Sequence, residues 1–502
     1  MFRLTGSRRQ LCDGLTRRDL LQVGGLGLYG LTTLGQAQQL AAAATSETGL
    51  PGFGKAKSCI LLFLFGAASQ HETFDPKPEA PVEIQGELRE ISTSIPGVAF
   101  GEGLPKTAAI ADRLTTIRSM THPFPLHCVS YALSGLPAYT TNLEFAPRAP
   151  EQWPYVGSVA DYCWTRDGKP GEVYGVPRHM GLPWVFNSQV DDAGLLAGPY
   201  SAFLGQQYDP VWARFEGQAT RVAPKARHEQ AKDYTDPFAA IDPRSRFVFD
   251  GANRFPEQVT LNRFNLRKHL LDQIESAQRT ADLTASEQAY AGHQARALSL
   301  LTSPKVRDAL DVEREPAALR EQYGHTLFGQ SCLAARRLVE AGSRFVTVFW
   351  DNFGTYFSGG WDTHQNHYPR MKEYLLPGFD PAFATLILDL EQRGLLDETL
   401  VLCMSEHGRT PTIDSKPKGA ARHHWSQVYS MTMAGGGVHR GAVVGRSDSQ
   451  GATVAETPIS PKDIHATTYH LLGINPESVM YDRQNRPLPI AGEGHVREEL
   501  LA

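Results

Sequence analysis

Three apolar runs punctuate the chain, and each gives way abruptly to small or charged residues. They are Cys59-Ile60-Leu61-Leu62-Phe63-Leu64-Phe65, Phe345-Val346-Thr347-Val348-Phe349-Trp350 and Thr399-Leu400-Val401-Leu402-Cys403-Met404. Short apolar runs of this length and composition predict buried strands. Ser430–Ala434 predicts a further strand closing in Gly435-Gly436-Gly437, and Ile110–Met120 predicts a helix end running into a short strand. Between strands the period changes. Pro377–Arg393 has the spacing of an amphipathic helix and joins two of the runs in strand–helix–strand order. Leu261–Thr284, Ala285–Leu301 and Ala317–Ala341 also carry apolar residues at helical spacing, so residues about 257–341 predict a helical segment packed on the sheet. Ser460-Pro461 predicts a helix start, with His465 and His470 on or near that helix. Residues about 151–250, rich in Pro, Gly and aromatics, predict a loop-rich insertion with short strands layered on the core.

The first 44 residues have a different character. Arg8-Arg9 and Thr16-Arg17-Arg18-Asp19-Leu20-Leu21 precede a Gly-weakened apolar stretch, Val23–Gly35, and then an Ala-rich tract. That order predicts a twin-arginine signal segment and places the protein in the periplasm or cell envelope. The stretch is shorter than the twenty or so apolar residues a membrane span needs, so no transmembrane span is expected in the mature chain. Those 44 residues hold five Arg and two Asp against an overall charge of -5, leaving the remainder near -8. No basic cluster points to nucleic acid as a partner. The six cysteines are far apart and form no CxxC pair, which argues against a disulfide framework or a zinc knuckle.

Candidate chemistry gathers where the predicted strands end, as sites do in open α/β sheets. After the first run come Ser69, His71, Glu72 and Asp75; after the second, Trp361-Asp362-Thr363-His364 and His367; after the third, Glu406-His407-Gly408-Arg409, then His423-His424. Asp362 and His364 share a face if their segment is extended, whereas Asp362 and His367 converge if it is helical. Either pairing offers the carboxylate and imidazole that divalent metals take. His127, in a Pro-His-aliphatic stretch, is a further candidate.

These blocks carry a resemblance. Arg17-Arg18, the Gly66–Pro78 segment, Arg118-Ser119-Met120, Trp361–His364, Glu406–Pro411, His424-Trp425 and Gly435–Gly437 resemble the DUF1501 family, placed with sulfatases in the alkaline phosphatase-like superfamily. The resemblance implies one domain over 57–502, an α/β alkaline phosphatase-like sandwich whose central, mostly parallel sheet is flanked by helices. It implies one or two divalent ions (zinc, manganese, calcium or magnesium) and hydrolysis of a phosphate or sulfate ester on an anionic substrate such as a sulfated or phosphorylated glycan. Asp362, His364 and His424 would hold one ion, and Glu406 and His407 the other. Ser69 would be the nucleophile, and Arg118 or Arg409 would bind the ester's oxygens. Glu72, His127, His367 and His423 are possible additions. The chain departs from the superfamily pattern in having Phe65-Gly66 where an Asp ends the first strand and His423 where relatives carry Asp. It also lacks the Cys-x-Pro-x-Arg or Ser-x-Pro-x-Arg block of sulfatases near Ser69. A non-catalytic envelope protein that binds anionic glycan or a protein partner through a degenerate site is the alternative reading, and a transferase or isomerase a third.

Overall fold

The apolar runs pair side by side. In the computed structural model, which describes residues 49–124, 126–135, 140–168, 175–190, 194–224, 234–249, 304–354 and 360–502, nine strands form the main sheet. In chain order they are β1 (Ser58–Leu64), β2 (Leu114–Met120), β3 (His179–Leu182), β4 (Val211–Glu216), β5 (Arg246–Phe249), β6 (Phe345–Trp350), β7 (Thr399–Met404), β8 (Tyr429–Ala434) and β9 (Ala442–Val444). Their spatial order is β9-β2-β8-β7-β1-β6-β3-β4-β5. The sheet is mixed but mostly parallel. β1 lies between parallel neighbours β6 and β7, β3 continues the parallel set, and β8 runs antiparallel to both β7 and β2. The chain divides into two units between Leu50 and Pro51, and all nine strands belong to the second.

All seven residues of β1 are buried, as are all six of β6 and of β7. Both sheet faces are covered, which explains why these strands lack polar alternation. Five helices position the site: α1 (Val129–Ser134), α2 (Val156–Arg166), α3 (Leu327–Ala341), α4 (Leu376–Gln392) and α5 (Pro461–Leu471). On one face Ile60, Leu62 and Leu64 join a core with Leu333 and Leu338 of α3 and Phe383 and Ile387 of α4. On the other, Thr347 of β6 meets the Tyr155 hydroxyl at the start of α2 at 2.5 Å. Helix α5 starts where Ser460-Pro461 predicts, with a capping box between Ser460 and Asp463. Among the described residues no helix is long and apolar enough to cross a membrane.

Two expectations are corrected. Residues 151–250 are no layer on the core: they contribute α2 and three sheet strands, β3, β4 and β5. β3 and β5 have only four residues each, so their pairing partners, rather than their own propensity, define them. The helical stretch Ala317–Ala341 is two helices, Ala317–Tyr323 and α3, parted at Gly324, whose φ of 86° ends the first. The expected helices at Leu261–Thr284 and Ala285–Leu301, and the signal segment 1–44, lie outside the described residues. The five described cysteines are buried and free of disulfides.

The register decides where the chemistry collects. Leu64 pairs with Trp350 and Phe63 with Met404, so β1, β6 and β7 end level. Because β2 and β7 both oppose β8, β2 ends at this same edge and β8 begins there. Five strands therefore deliver their flanking loops to one place.

Candidate metal centre

The loop after β1 and the loop carrying Asp362 touch backbone to backbone. Trp361 N donates to Phe65 O at 2.8 Å. A Cβ on Gly66 (φ 100°) would lie 2.3 Å from Asp362 N, and one on Gly360 (φ 56°) would lie 2.3 Å from Phe65 O. Only glycine allows that approach at those dihedrals. It drives Asp362 down over the sheet edge, where Arg409 donates to its Oδ1 at 2.6 Å. His364 Nε2 lies 3.0 Å and His424 Nε2 3.2 Å from the same oxygen, and the two nitrogens are 2.9 Å apart. Two ligands of a zinc-like ion, each about 2.0–2.1 Å from it, stand roughly 3 Å from each other. The triangle has that size.

β7 supplies the adjoining half. Glu406 Oε1 accepts from Gly66 N and from His127 Nδ1, both at 2.8 Å, and His127 Nε2 reaches Asp362 Oδ2 at 3.3 Å. His127 thus bridges the two carboxylates. His407 donates Nδ1 to Gly408 O at 2.8 Å, which leaves Nε2 as a lone pair. Both His407 Nε2 and Glu406 Oε2 are buried without a hydrogen-bond partner among the described residues. The His127, His407 and His424 rings lie tilted or edge-on to one another, with centroids 4.2 to 5.5 Å apart. Ligand atoms of His127, His407 and His424 form one group within 4.8 Å of each other, and those of Asp362, His364 and His424 form a second.

The electrostatics prepare neutral imidazoles beside an ionised acid. Burial pushes His407 well below its ordinary value, helped by His424, His127 and Arg409. Burial likewise holds His424 at about 3 against the favourable contact with Asp362. Burial alone would raise the Asp362 carboxyl, but Arg409 and His127 hold it well below the usual range. Burial opposes charge on His127, yet Asp362 and Glu406 push it up to about 9. In the metal-free cluster a proton on His127 balances the acids.

The other expected residues fall elsewhere. Arg409 and Arg118 are not the anion forks expected of them. Arg409 is fully buried and donates to Gly66 O, Ala67 O at 3.2 Å, Arg422 O at 3.2 Å and Asp362, so it ties the β1 loop to the acid. Arg118 donates to Phe74 O at 2.8 Å and Ala99 O at 2.7 Å. Glu72 and His367 form a separate buried group: Glu72 Oε1 accepts from Arg422 Nη2 at 2.8 Å, and Oε2 faces His367 Nε2 at 3.2 Å. Asp362 thus takes His364 and not His367. Ser69 is buried, and its hydroxyl has no hydrogen-bond partner among the described residues. It precedes Gln70, whose side-chain amide bonds both Arg409 N and Arg409 O, so its loop is pinned beside the cluster. His423 stands outside the triangle, its Nδ1 2.8 Å from His364 Nδ1. Sequence reasoning underrated His127 and left His122 unassigned, though His122 Nε2 donates to the Glu406 carbonyl at 2.7 Å. The signal was available: both follow the carboxyl end of a strand, β2, that the sequence did reveal.

Among solved structures, the chain resembles the PsFucS1 sulfatase from Pseudoalteromonas sp. (12% identity, 93% of this chain and 76% of that one, TM-score 0.37). It also resembles BT1596, a 2-O GAG sulfatase (11%, 83% and 71%, TM-score 0.36), and the phosphonate monoester hydrolase SpPMH from Silicibacter pomeroyi (12%, 83% and 73%, TM-score 0.32). At that distance none offers a residue-by-residue correspondence. No curated protein matches the sequence. The family described as protein of unknown function (DUF1501) matches residues 56–501, nearly the whole of the chain beyond its first segment, and the chain belongs to that family.

Proposed function

We propose that the protein is an exported, metal-dependent hydrolase of phosphate or sulfate esters, with an anionic glycan as the substrate class. The observation that carries the metal is the pair of orphaned buried atoms, His407 Nε2 and Glu406 Oε2, inside a cluster of four imidazoles and two carboxylates. Each unsatisfied buried acceptor costs about 1–3 kcal/mol, a cost that a bound cation would relieve. Asp362, His364 and His424 would hold one ion; His127, His407 and His424 form the second donor group, which His127 would join only by giving up its proton and one carboxylate contact. Imidazole-rich donors favour zinc or iron over manganese, calcium and magnesium, which prefer oxygen ligands. Bound there, a divalent ion supplies Lewis-acid polarisation and charge neutralisation for an ester oxygen.

The chain's own residues do the remaining work. Arg409 fixes the Asp362 carboxylate and the β1 loop together. Glu406 holds that loop through Gly66 N and orients His127. Ser69 is the attacking group in this reading, because its hydroxyl is buried, unpartnered among the described residues and carried on the pinned loop. One observation favours the binding-protein alternative: Arg118 and Arg409 are committed to backbone carbonyls and carboxylates of the protein itself.

Elemental mass spectrometry on folded, chelator-free protein tests the metal, and a panel of aryl sulfates and phosphates tests the chemistry. One to two ions per chain with ester cleavage abolished by Ser69→Ala supports the hydrolase. A folded chain that takes up no zinc, manganese or calcium defeats it; metal without cleavage of any ester favours the binding reading. Export through Arg17-Arg18 is tested by changing both to Lys, which should retain the protein inside the cell.

A further inference from the structure

His364 has two ring nitrogens, and a bound ion would use only one. Its Nε2 belongs to the triangle with Asp362 and His424, whereas its Nδ1 faces the Nδ1 of His423 at 2.8 Å. His423 in turn places Nε2 3.3 Å from Asp414 Oδ2. The proton positions along this row follow from valence. If His364 Nε2 presents a lone pair to an ion, its proton is on Nδ1 and must be donated. The acceptor is His423 Nδ1, so the His423 proton is on Nε2 and is donated to Asp414. A single carboxylate at the end of the row thereby sets both tautomers.

We propose that His423, oriented by Asp414, is a positioning residue that locks His364 in the metal-binding tautomer and ring orientation. The inference rests on the metal-centre reading and assigns a role where His423 stands outside the ligand triangle. It amounts to the carboxylate–histidine–metal arrangement lengthened by one imidazole.

The contact is not a chance meeting of surface side chains. His423 and Asp414 sit on opposite arms of a hairpin joined by Thr410 N to His423 O at 2.8 Å and by paired Asp414–Ala421 bonds at 2.8 and 2.9 Å. His423 N donates to Thr410 Oγ1 at 3.0 Å, and Asp414 Oδ1 accepts from Lys416 N at 3.0 Å. The hairpin tip is bonded to the segment that carries His364: Asn366 N to Lys418 O at 3.0 Å, His367 N to Ala420 O at 3.1 Å, and Tyr368 N to Gly419 O at 3.2 Å. The two imidazoles are therefore held in register by backbone bonds on both sides. The His423 side chain is also half exposed, so replacing it leaves the buried triangle in place.

The test is zinc affinity of the purified full chain, by competition with a chromophoric chelator, for wild type, His423→Ala, His423→Gln, Asp414→Asn, His364→Ala and the double variant His364→Ala/His423→Ala. His423→Ala should weaken zinc about 10–100-fold, the range for removal of an outer partner. His423→Gln, whose amide oxygen still accepts, should restore part of the loss, and Asp414→Asn should fall between. With His364 already gone, removing His423 should cost nothing further. Nitrogen NMR of histidine-labelled, zinc-loaded protein should show His364 protonated on Nδ1 in wild type and a mixture of tautomers in His423→Ala. Unchanged affinity in His423→Ala, or an equal loss from it in the His364→Ala background, overturns the role of His423. Wild-type protein that takes up no zinc overturns instead the metal centre itself.

Discussion

His407→Leu should have opposite consequences with and without metal. In the metal-free protein the imidazole makes one hydrogen bond, Nδ1 to Gly408 O at 2.8 Å, and buries one orphan, Nε2. Losing the bond costs about 1 kcal/mol, while removing the orphan returns about 1–3 kcal/mol. A leucine of similar volume in this fully buried position should leave metal-free stability unchanged or slightly raised. With metal the balance reverses. An ion bound only to the folded state at a thousand times its Kd stabilises by about 4 kcal/mol, and the variant forfeits much of that. At about 2.1 cal/mol/K of unfolding entropy per residue, a unit as long as Pro51–Ala502 moves about 1 °C per kcal/mol, so the separation is about 4 °C. The assay is scanning calorimetry of both proteins in chelator and in saturating zinc. Equal destabilisation of the variant in both conditions would refute the reasoning, since His407 would then be a structural histidine.

Three further outcomes are expected from other parts of the structure. Gly66→Ala should displace Asp362, because its Cβ would meet Asp362 N at 2.3 Å with φ at 100°; loss of bound metal and about 1–3 kcal/mol of stability are expected from metal analysis and thermal melts. Ser460→Ala removes the α5 cap, whose side chain accepts from Asp463 N at 3.3 Å, and should cost about 1 kcal/mol in melts while leaving metal content intact. Burial raises the Asp351 carboxyl to about 7 despite hydrogen bonds from Asn187 N, Trp184 Nε1 and Asn352 N. The folded state then keeps a proton that the unfolded chain releases above its ordinary value near 3.8, so this contribution is full below that pH, is lost progressively towards pH 7 and is flat beyond it. Asp351→Asn should flatten the fall in melting temperature between pH 4 and 7, and an unchanged slope would exclude Asp351 as its source.

The central strands were legible because burial on both faces leaves an unbroken apolar run. Thr399–Met404 and Phe345–Trp350 could be bounded to the residue. β3 and β5 were not, because a strand of four residues owes its conformation to its neighbours more than to its own residues. Within the site, Asp362, His364, His407 and His424 were singled out by their position, two residues apart or just past a strand, and as ligands by the family resemblance; the structure brings them together. Choosing His364 over His367 as partner of Asp362 required knowing that the chain stays extended there. The roles of the arginines were illegible for a deeper reason. A guanidinium that would bind an ester oxygen and one that braces a loop have the same sequence signature, and only the carbonyls of Gly66, Ala67 and Arg422 distinguish them. The centrality of His127 depended on β2 being parallel to β7, which is a property of the whole sheet.

The chain contains its own control for the metal argument. Two buried groups of acid, imidazole and arginine lie in one neighbourhood of the fold, and residue type does not separate them. In the first, Glu72 is held by two nitrogens of Arg422 at 2.8 and 2.9 Å and faces His367 Nε2 at 3.2 Å, while His367 Nδ1 bonds Thr363 Oγ1 at 2.8 Å. Charge is matched there, and the one misaligned contact still pairs an acid oxygen with an imidazole nitrogen. Glu72 Oε2 and His367 Nε2 also lack a hydrogen bond among the described residues, but they face each other, and the group braces the segment behind Asp362. In the second, nitrogen faces nitrogen between His364 and His424, and Glu406 Oε2 and His407 Nε2 face no hydrogen-bond donor among the described residues. Two buried acceptors are thus left without a proton to share, a cost that a bound cation would relieve. These unpartnered acceptors, more than the presence of histidines, are what argue for a cation at the sheet edge, with the Glu72 group as a brace beside it.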